Sequence, residues 1–160
     1  MNCVSKLGLA AFCSVAVVSV GLAQSGPPMG PQARAEAAVK LRKAVFDVQS
    51  YAFGPMGAFL KGAPFDAAAA VTAAQRVQMT SSMIPTVFKF DTRNAKVVTK
   101  ARDGIWTSMP DFIQKANDLH EAAVNLEAAA KSGDAAMTKQ AAMAVGKACG
   151  ACHKEYRNSP

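Results

Sequence analysis

Near its C-terminal end the chain reads Cys149-Gly-Ala-Cys152-His153, two thiols three positions apart with an imidazole directly after the second. Thiols at that spacing can add to the two vinyl groups of a haem, and the adjacent imidazole then faces the iron from the same side. On a helix, positions i, i+3 and i+4 share one face, which supplies the geometry. Other chemistries fit the pair less well. A Cys-x-x-Cys redox site calls for a thioredoxin-like βαβ context, and nothing strand-like surrounds these residues. A zinc site needs more ligands, yet the one other histidine is His120, and the remaining cysteines, Cys3 and Cys13, lie near the N-terminus. A disulfide between i and i+3 of one helix would be strained.

Further residue types with chemical potential read more simply. His120 stands beside Glu121 without the second histidine of a His-Glu-x-x-His metal site, and is expected on the surface. Asp118 and Glu121 read as a solvated helix face rather than an acid–base pair. Met56, Met79, Met83 and Met109 each carry a thioether able to ligate iron, but methionine in Ala-rich helices usually fills core gaps.

The elements that must position the motif are helical. Hydrophobic residues make up 51% of the 160-residue chain and aromatics only 7%, an excess carried mostly by alanine, which favours helices over sheets. Apolar residues at helical spacing predict a first helix over about 31–61, with Pro31 in its first turn and a kink at Gly54-Pro55. A second helix starts at about 64–66, with Asp66 as N-cap, and runs toward Phe88, with Pro85 as its end or another kink. The period is lost from Phe90 to about Asp103, the longest loop. A third helix covers about 103–131, Ser132-Gly133-Asp134 closes it, and a fourth spans about 134–157 with Cys149, Cys152 and His153 on its inner side. Four helices joined by short turns and one longer crossover describe an all-α, antiparallel four-helix bundle, able to hold a cofactor such as covalent haem c among facing side chains.

The N-terminus reads as a cleaved secretory signal over 1–23. Lys6 is its one charge, an apolar stretch runs from Leu7 to Val20, and Gly21-Leu22-Ala23 ends it with small residues at the cleavage positions. Residues 24–160 then form the single helical domain, exported to the periplasm, and no later apolar run is long enough to span a bilayer. The net charge of +7 is dispersed along the chain, without the clustered basic stripe of a nucleic-acid-binding protein.

An export signal, four Ala-rich helices and a Cys-x-x-Cys-His close to the C-terminus together resemble the class II c-type cytochromes, above all cytochrome c'. The similarity also runs through Val39-Lys40-Leu41-Arg42-Lys43, Lys61-Gly62-Ala63-Pro64-Phe65-Asp66 and the stretch from Ala101 to Trp106. The resemblance implies that His153 is the proximal axial ligand and that Cys149 and Cys152 are the thioether anchors. It implies that Arg157 lies beside the proximal imidazole, that Arg42 meets a haem propionate with Lys43 lining the haem next to it, and that Lys96 and Val97 fall near further haem contacts. Phe46, one turn after Arg42, takes the position over the sixth, distal side of the iron, where low-spin relatives place a ligating methionine. A phenyl ring cannot coordinate, so the expectation is five-coordinate, high-spin iron behind an apolar residue, without a distal hydrogen-bond donor. By periodicity alone Phe46 is simply a core residue.

The resemblance thus implies an exported haem c protein acting in electron transfer, in binding nitric oxide or carbon monoxide, or in both. Its partners would be a periplasmic redox protein, a diatomic gas and a second copy of itself docked through the first two helices. A Met-ligated low-spin electron carrier is the alternative. A peroxidase would require a distal acid–base pair that the first helix does not offer, so no enzymatic activity is expected.

Haem joined through both thiols stays with the polypeptide on denaturation. The mature protein should carry the mass of one haem and keep it through acid–acetone extraction; complete extraction of the pigment would contradict the thioether linkage.

Overall fold

The computed structural model describes residues 29–158. The signal expected at 1–23, with Cys3 and Cys13, lies outside them. The elements are α1 (Pro31–Leu60), α2 (Ala67–Val87), α3 (Gly104–Thr107), α4 (Met109–Lys131) and α5 (Ala135–Tyr156). Four long helices and one single turn make an all-α bundle.

Local chemistry sets the helix ends. Pro31 opens α1, where a missing amide hydrogen costs nothing, and Gly62 closes it in the left-handed region (φ 103°) with its amide donating to the Phe59 carbonyl at 3.0 Å. Asp66 and Asp134 cap α2 and α5, their carboxylates accepting from Ala69 N at 3.0 Å and Met137 N at 2.9 Å. Gly133 (φ 75°) makes the sharp reversal between α4 and α5. Pro31, the Asp66 cap and the Ser132-Gly133-Asp134 turn are those the sequence predicts.

The prolines behave less simply. α1 continues past Pro55 to Leu60, and α2 continues past Pro85 to Val87, so Pro85 does not end it. Pro55 and Tyr51 are both exposed, on the side where water can serve the carbonyl that loses its amide partner. Pro110 has a larger effect. The single third helix expected over about 103–131 is divided at Ser108 (φ −129°, ψ 43°) into α3 and α4. Pro110 cannot donate to the carbonyl four residues back, so the helix restarts with proline in its first turn.

α2 packs extensively on α4, α4 on α5, and α1 on α2, whereas α1 and α5 meet only sparsely. The core is built largely of small side chains, among them Ala70, Ala74, Ala123 and Ala142, each fully buried, which lets the helices approach closely. Larger groups fill the layers between, notably Met56, Val77, Leu126 and Val145. At the end of the bundle closed by the loop after α2, Phe88 contacts Phe46, Trp106 and Phe112, and Phe112 meets Tyr156 edge-on with centroids 5.2 Å apart. An aromatic chain therefore runs from α1 across the bundle to α5.

Leu126 has no exposed surface and lies in the C-terminal half of α4. Leu126→Ala should lower unfolding free energy by about 2–5 kcal/mol in denaturant titrations, the range for a buried leucine truncation. Val124→Ala, on the exposed face of the same helix, should change it by less than about 1 kcal/mol.

Candidate haem site

On α5 the inner stripe is Thr138, Ala142, Val145, Cys149, Cys152 and Tyr156, spaced at helical intervals. Thr138, Ala142, Val145 and Tyr156 are buried, but Cys149 and Cys152 are only half-covered, and both are free thiols packed beside the core. The stripe is therefore least covered where the thiols stand, and α1 and α5 meet only sparsely. Half-covered Phe46 and Phe53 border the same core from α1. Two thiols on one face, an imidazole at the next position and a loosely closed helix seam fit a covalently held haem.

Electrostatics keep these groups in their neutral forms. Burial raises the Cys149 thiol, and burial pushes Cys152 up to about 11 despite the nearby Lys115 ammonium. His153 is exposed in the last turn of α5 rather than on the inner side expected of it, because the position directly after Cys152 turns away from the stripe. Partial desolvation followed by the Arg157 cation lowers its pKa, favouring the neutral imidazole that ligates metals. Arg157 is the C-cap of α5, extended at φ −122°, with its amide donating to the His153 carbonyl at 3.1 Å. The last turn is held to the long loop by the Ala101–Arg157 bridge and by Arg102 N donating to Tyr156 O at 3.0 Å.

Arg42 is 3% exposed. Its Nε donates to the Val87 carbonyl at 3.0 Å, one terminal nitrogen to Thr92 Oγ1 at 2.9 Å, and the other to the Phe90 carbonyl. The guanidinium also lies over the Phe88 and Trp106 rings, 4.6 and 5.1 Å from their centroids. Burial lowers its pKa, opposed by the charge of Asp91. One N–H on each terminal nitrogen is not used by these bonds. Lys43, by contrast, is exposed and lines an open cavity of about 580 Å³ with Lys96 and Val97. The loop is tied there by Gln32, whose amide donates to the Lys96 carbonyl at 3.0 Å. The structure thus gathers Lys43, Lys96 and Val97 on one side of α1, and Arg42 with Phe46 on the Phe88 side.

Several residues of this end carry no motif. Tyr156 donates to Asp111 Oδ2 at 2.5 Å, pinning the end of α5 to the start of α4. Trp106 Nε1 donates to the Phe88 carbonyl at 3.0 Å. His120 departs from the surface position expected of it: it is half-buried, with Nδ1 3.1 Å from the Gln78 carbonyl and 3.3 Å from Ser81 Oγ, because α2 packs so closely on α4. Gln49 is 9% exposed, and its Oε1 is the buried side-chain polar atom without a hydrogen-bond partner among the described residues, an omission that costs about 1–3 kcal/mol. Its i+7 spacing from Arg42 was the signal that could have found it.

An antiparallel four-helix bundle with Cys-x-x-Cys-His on its last helix defines a class II c-type cytochrome. The sequence pattern of cytochrome c' matches residues 37–157, and the chain belongs to that family. Cytochrome c' of Alcaligenes xylosoxydans xylosoxydans is 36% identical over 127 residues, 78% of this chain and 96% of that one. The solved cytochrome c prime of Shewanella frigidimarina superposes with a TM-score of 0.72 at 37% identity, over 78% of this chain and 97% of that chain. A single-residue mutant of cytochrome c prime from Alcaligenes xylosoxidans, solved as its nitric oxide complex, gives 0.70 at 32% identity over 79% and 97%. The family holds haem c through its cysteines, and Cys149 and Cys152 are the cysteines that serve here.

Burial and the Asp111 carboxylate push the Tyr156 phenol up to about 12 from an ordinary value of 10.0. A phenol raised in the folded state contributes stability in full below its unfolded value and loses it as pH rises through the folded value. Tyr156→Phe should therefore be less stable than the parent at neutral pH, with the gap in thermal unfolding narrowing between about pH 10 and 12. A gap that stayed constant to the upper limit would contradict this coupling.

Proposed function

We propose that this protein is exported to the periplasm and holds a five-coordinate, high-spin haem c, with His153 as proximal ligand and Phe46 over the distal side. Its task is to carry electrons, to bind nitric oxide or carbon monoxide, or both. The haem supplies a redox-active iron with one open coordination position.

The observation that carries this reading is the setting of Phe46. The ring is held against Phe88, centroids 6.2 Å apart, on the α1 face that begins with Arg42, and no thioether takes its place. Met56 is locked in the core at 2% exposure, Met79 and Met83 are 59% and 40% exposed on α2, and Met109 packs against the core at the start of α4. A nitric oxide complex of an Alcaligenes relative supports a gas ligand of this class.

In this reading Cys149 and Cys152 anchor the group, Arg42 directs its free N–H groups to a propionate, and Lys43, Lys96 and Val97 line the exposed edge. Arg157 sits beside the proximal imidazole. His120 is held by α2 and supplies no distal acid–base group, in keeping with a role other than catalysis. Export rests on Lys6 and the apolar stretch that follows it, and no helix among the described residues is long and apolar enough to cross a membrane. Exposed Leu41, Val48 and Tyr51 on α1, with Met79 and Met83 on α2, support self-association through those helices.

Electronic spectra of the ferric and ferrous protein test the reading. High-spin ferric bands and a ferrous band shifted by nitric oxide and carbon monoxide are expected. Phe46→Ala should speed carbon monoxide association by removing packed bulk, and Phe46→Met should move the spectrum toward six-coordinate low spin. A wild-type spectrum already of the thioether-ligated type would overturn the open site and leave plain electron transfer.

A further inference from the structure

Gln49 follows Phe46 by three positions and Arg42 by seven, so the three side chains share one face of α1. Apart from Arg42, whose donors meet acceptors, it is the polar member among the buried residues of α1, and its buried neighbours Val45, Ala52 and Met56 are apolar. Only 9% of it is exposed, and its Oε1 is without a hydrogen-bond partner. An apolar side chain of similar length would fill that position with no orphaned oxygen, so packing alone does not account for an amide there. A primary amide offers an acceptor at one end and two donors at the other, and rotation of the terminal torsion exchanges them. The group can therefore turn its donors toward a ligand that accepts.

We propose that Gln49 is a specificity residue of the distal pocket, its buried amide donating a hydrogen bond to a diatomic gas bound beside Phe46. The inference rests on the assignment of the Phe46 side as distal. It replaces a wholly apolar pocket with one that carries a single donor. Carbon monoxide and nitric oxide both gain negative charge on their outer atom when ferrous iron donates electron density to them, and a nearby N–H stabilises that charge. The same donor slows the departure of the gas.

The test uses the complete haem-bearing protein in its ferrous form with carbon monoxide as the probe. Gln49→Met and Gln49→Leu retain bulk and remove the donor. Both should raise the C–O stretching frequency and speed carbon monoxide dissociation by about 3- to 10-fold, the span of one neutral hydrogen bond. In the parent protein the same band should shift in D2O, because amide protons exchange. A C–O stretch and dissociation rate unchanged in folded variants would overturn the proposal and leave Gln49 as a core residue. If neither variant matures with haem, the D2O experiment on the parent decides, and no shift overturns it. A parent protein that fails to bind carbon monoxide overturns the distal reading together with this inference, whereas binding with a stretch indifferent to Gln49 overturns this inference alone.

Discussion

A guanidinium that is 3% exposed keeps its proton, so the chain around Arg42 has to supply acceptors. It does so with main-chain carbonyls at Val87 and Phe90 and the Thr92 hydroxyl, all from the end of α2 and the turn that follows. The rings of Phe88 and Trp106 cover the faces of the cation, and Trp106 in turn donates to the Phe88 carbonyl. One buried charge thereby joins α1, the last turn of α2 and α3. Phe88, held in this way, is the surface against which Phe46 rests.

The same loop reaches the other side of the site. After crossing above Arg42 it passes Lys96 and Val97 beside α1, then pairs Ala101 with Arg157 at the end of α5. Tyr156 anchors that end to Asp111 on α4. Residues assigned to the distal and proximal sides of the haem are thus referenced to one segment of chain, and through Phe88, Phe112 and Tyr156 to one aromatic chain. Such a frame suits a protein whose iron changes oxidation state or ligand, since neither change requires the helices to repack. The sparse contact between α1 and α5 completes the arrangement, because a bundle closed on all four sides would leave the thiols of Cys149 and Cys152 no neighbour but other side chains.

Departures from simple periodicity fall at particular residues. Pro110 divides what reads as one continuous amphipathic stretch, because a missing amide hydrogen interrupts a helix without disturbing its apolar pattern. His120 occupies a polar-looking stretch of α4 and is nonetheless half-buried, drawn in by a carbonyl of α2 that lies 42 residues away in sequence. The i+7 spacing from Arg42 puts Gln49 on the same face of α1, but its burial without a partner for Oε1 is set by the packing.

What the sequence determines by itself is local. The spacing of Cys149, Cys152 and His153, the capping carboxylates of Asp66 and Asp134 and the positive-φ glycines 62 and 133 act within a single turn, so reading along the chain locates them and the four long helices. The tertiary structure decides what lies between helices. Arg42 finds acceptors 45 to 50 positions away, and Cys149 and Cys152 are left half-covered on a stripe whose other members are buried. The reason is that helical periodicity states which face of α1 or α5 turns inward, whereas the group that meets that face belongs to another helix or to the loop, and is set by packing the whole chain together.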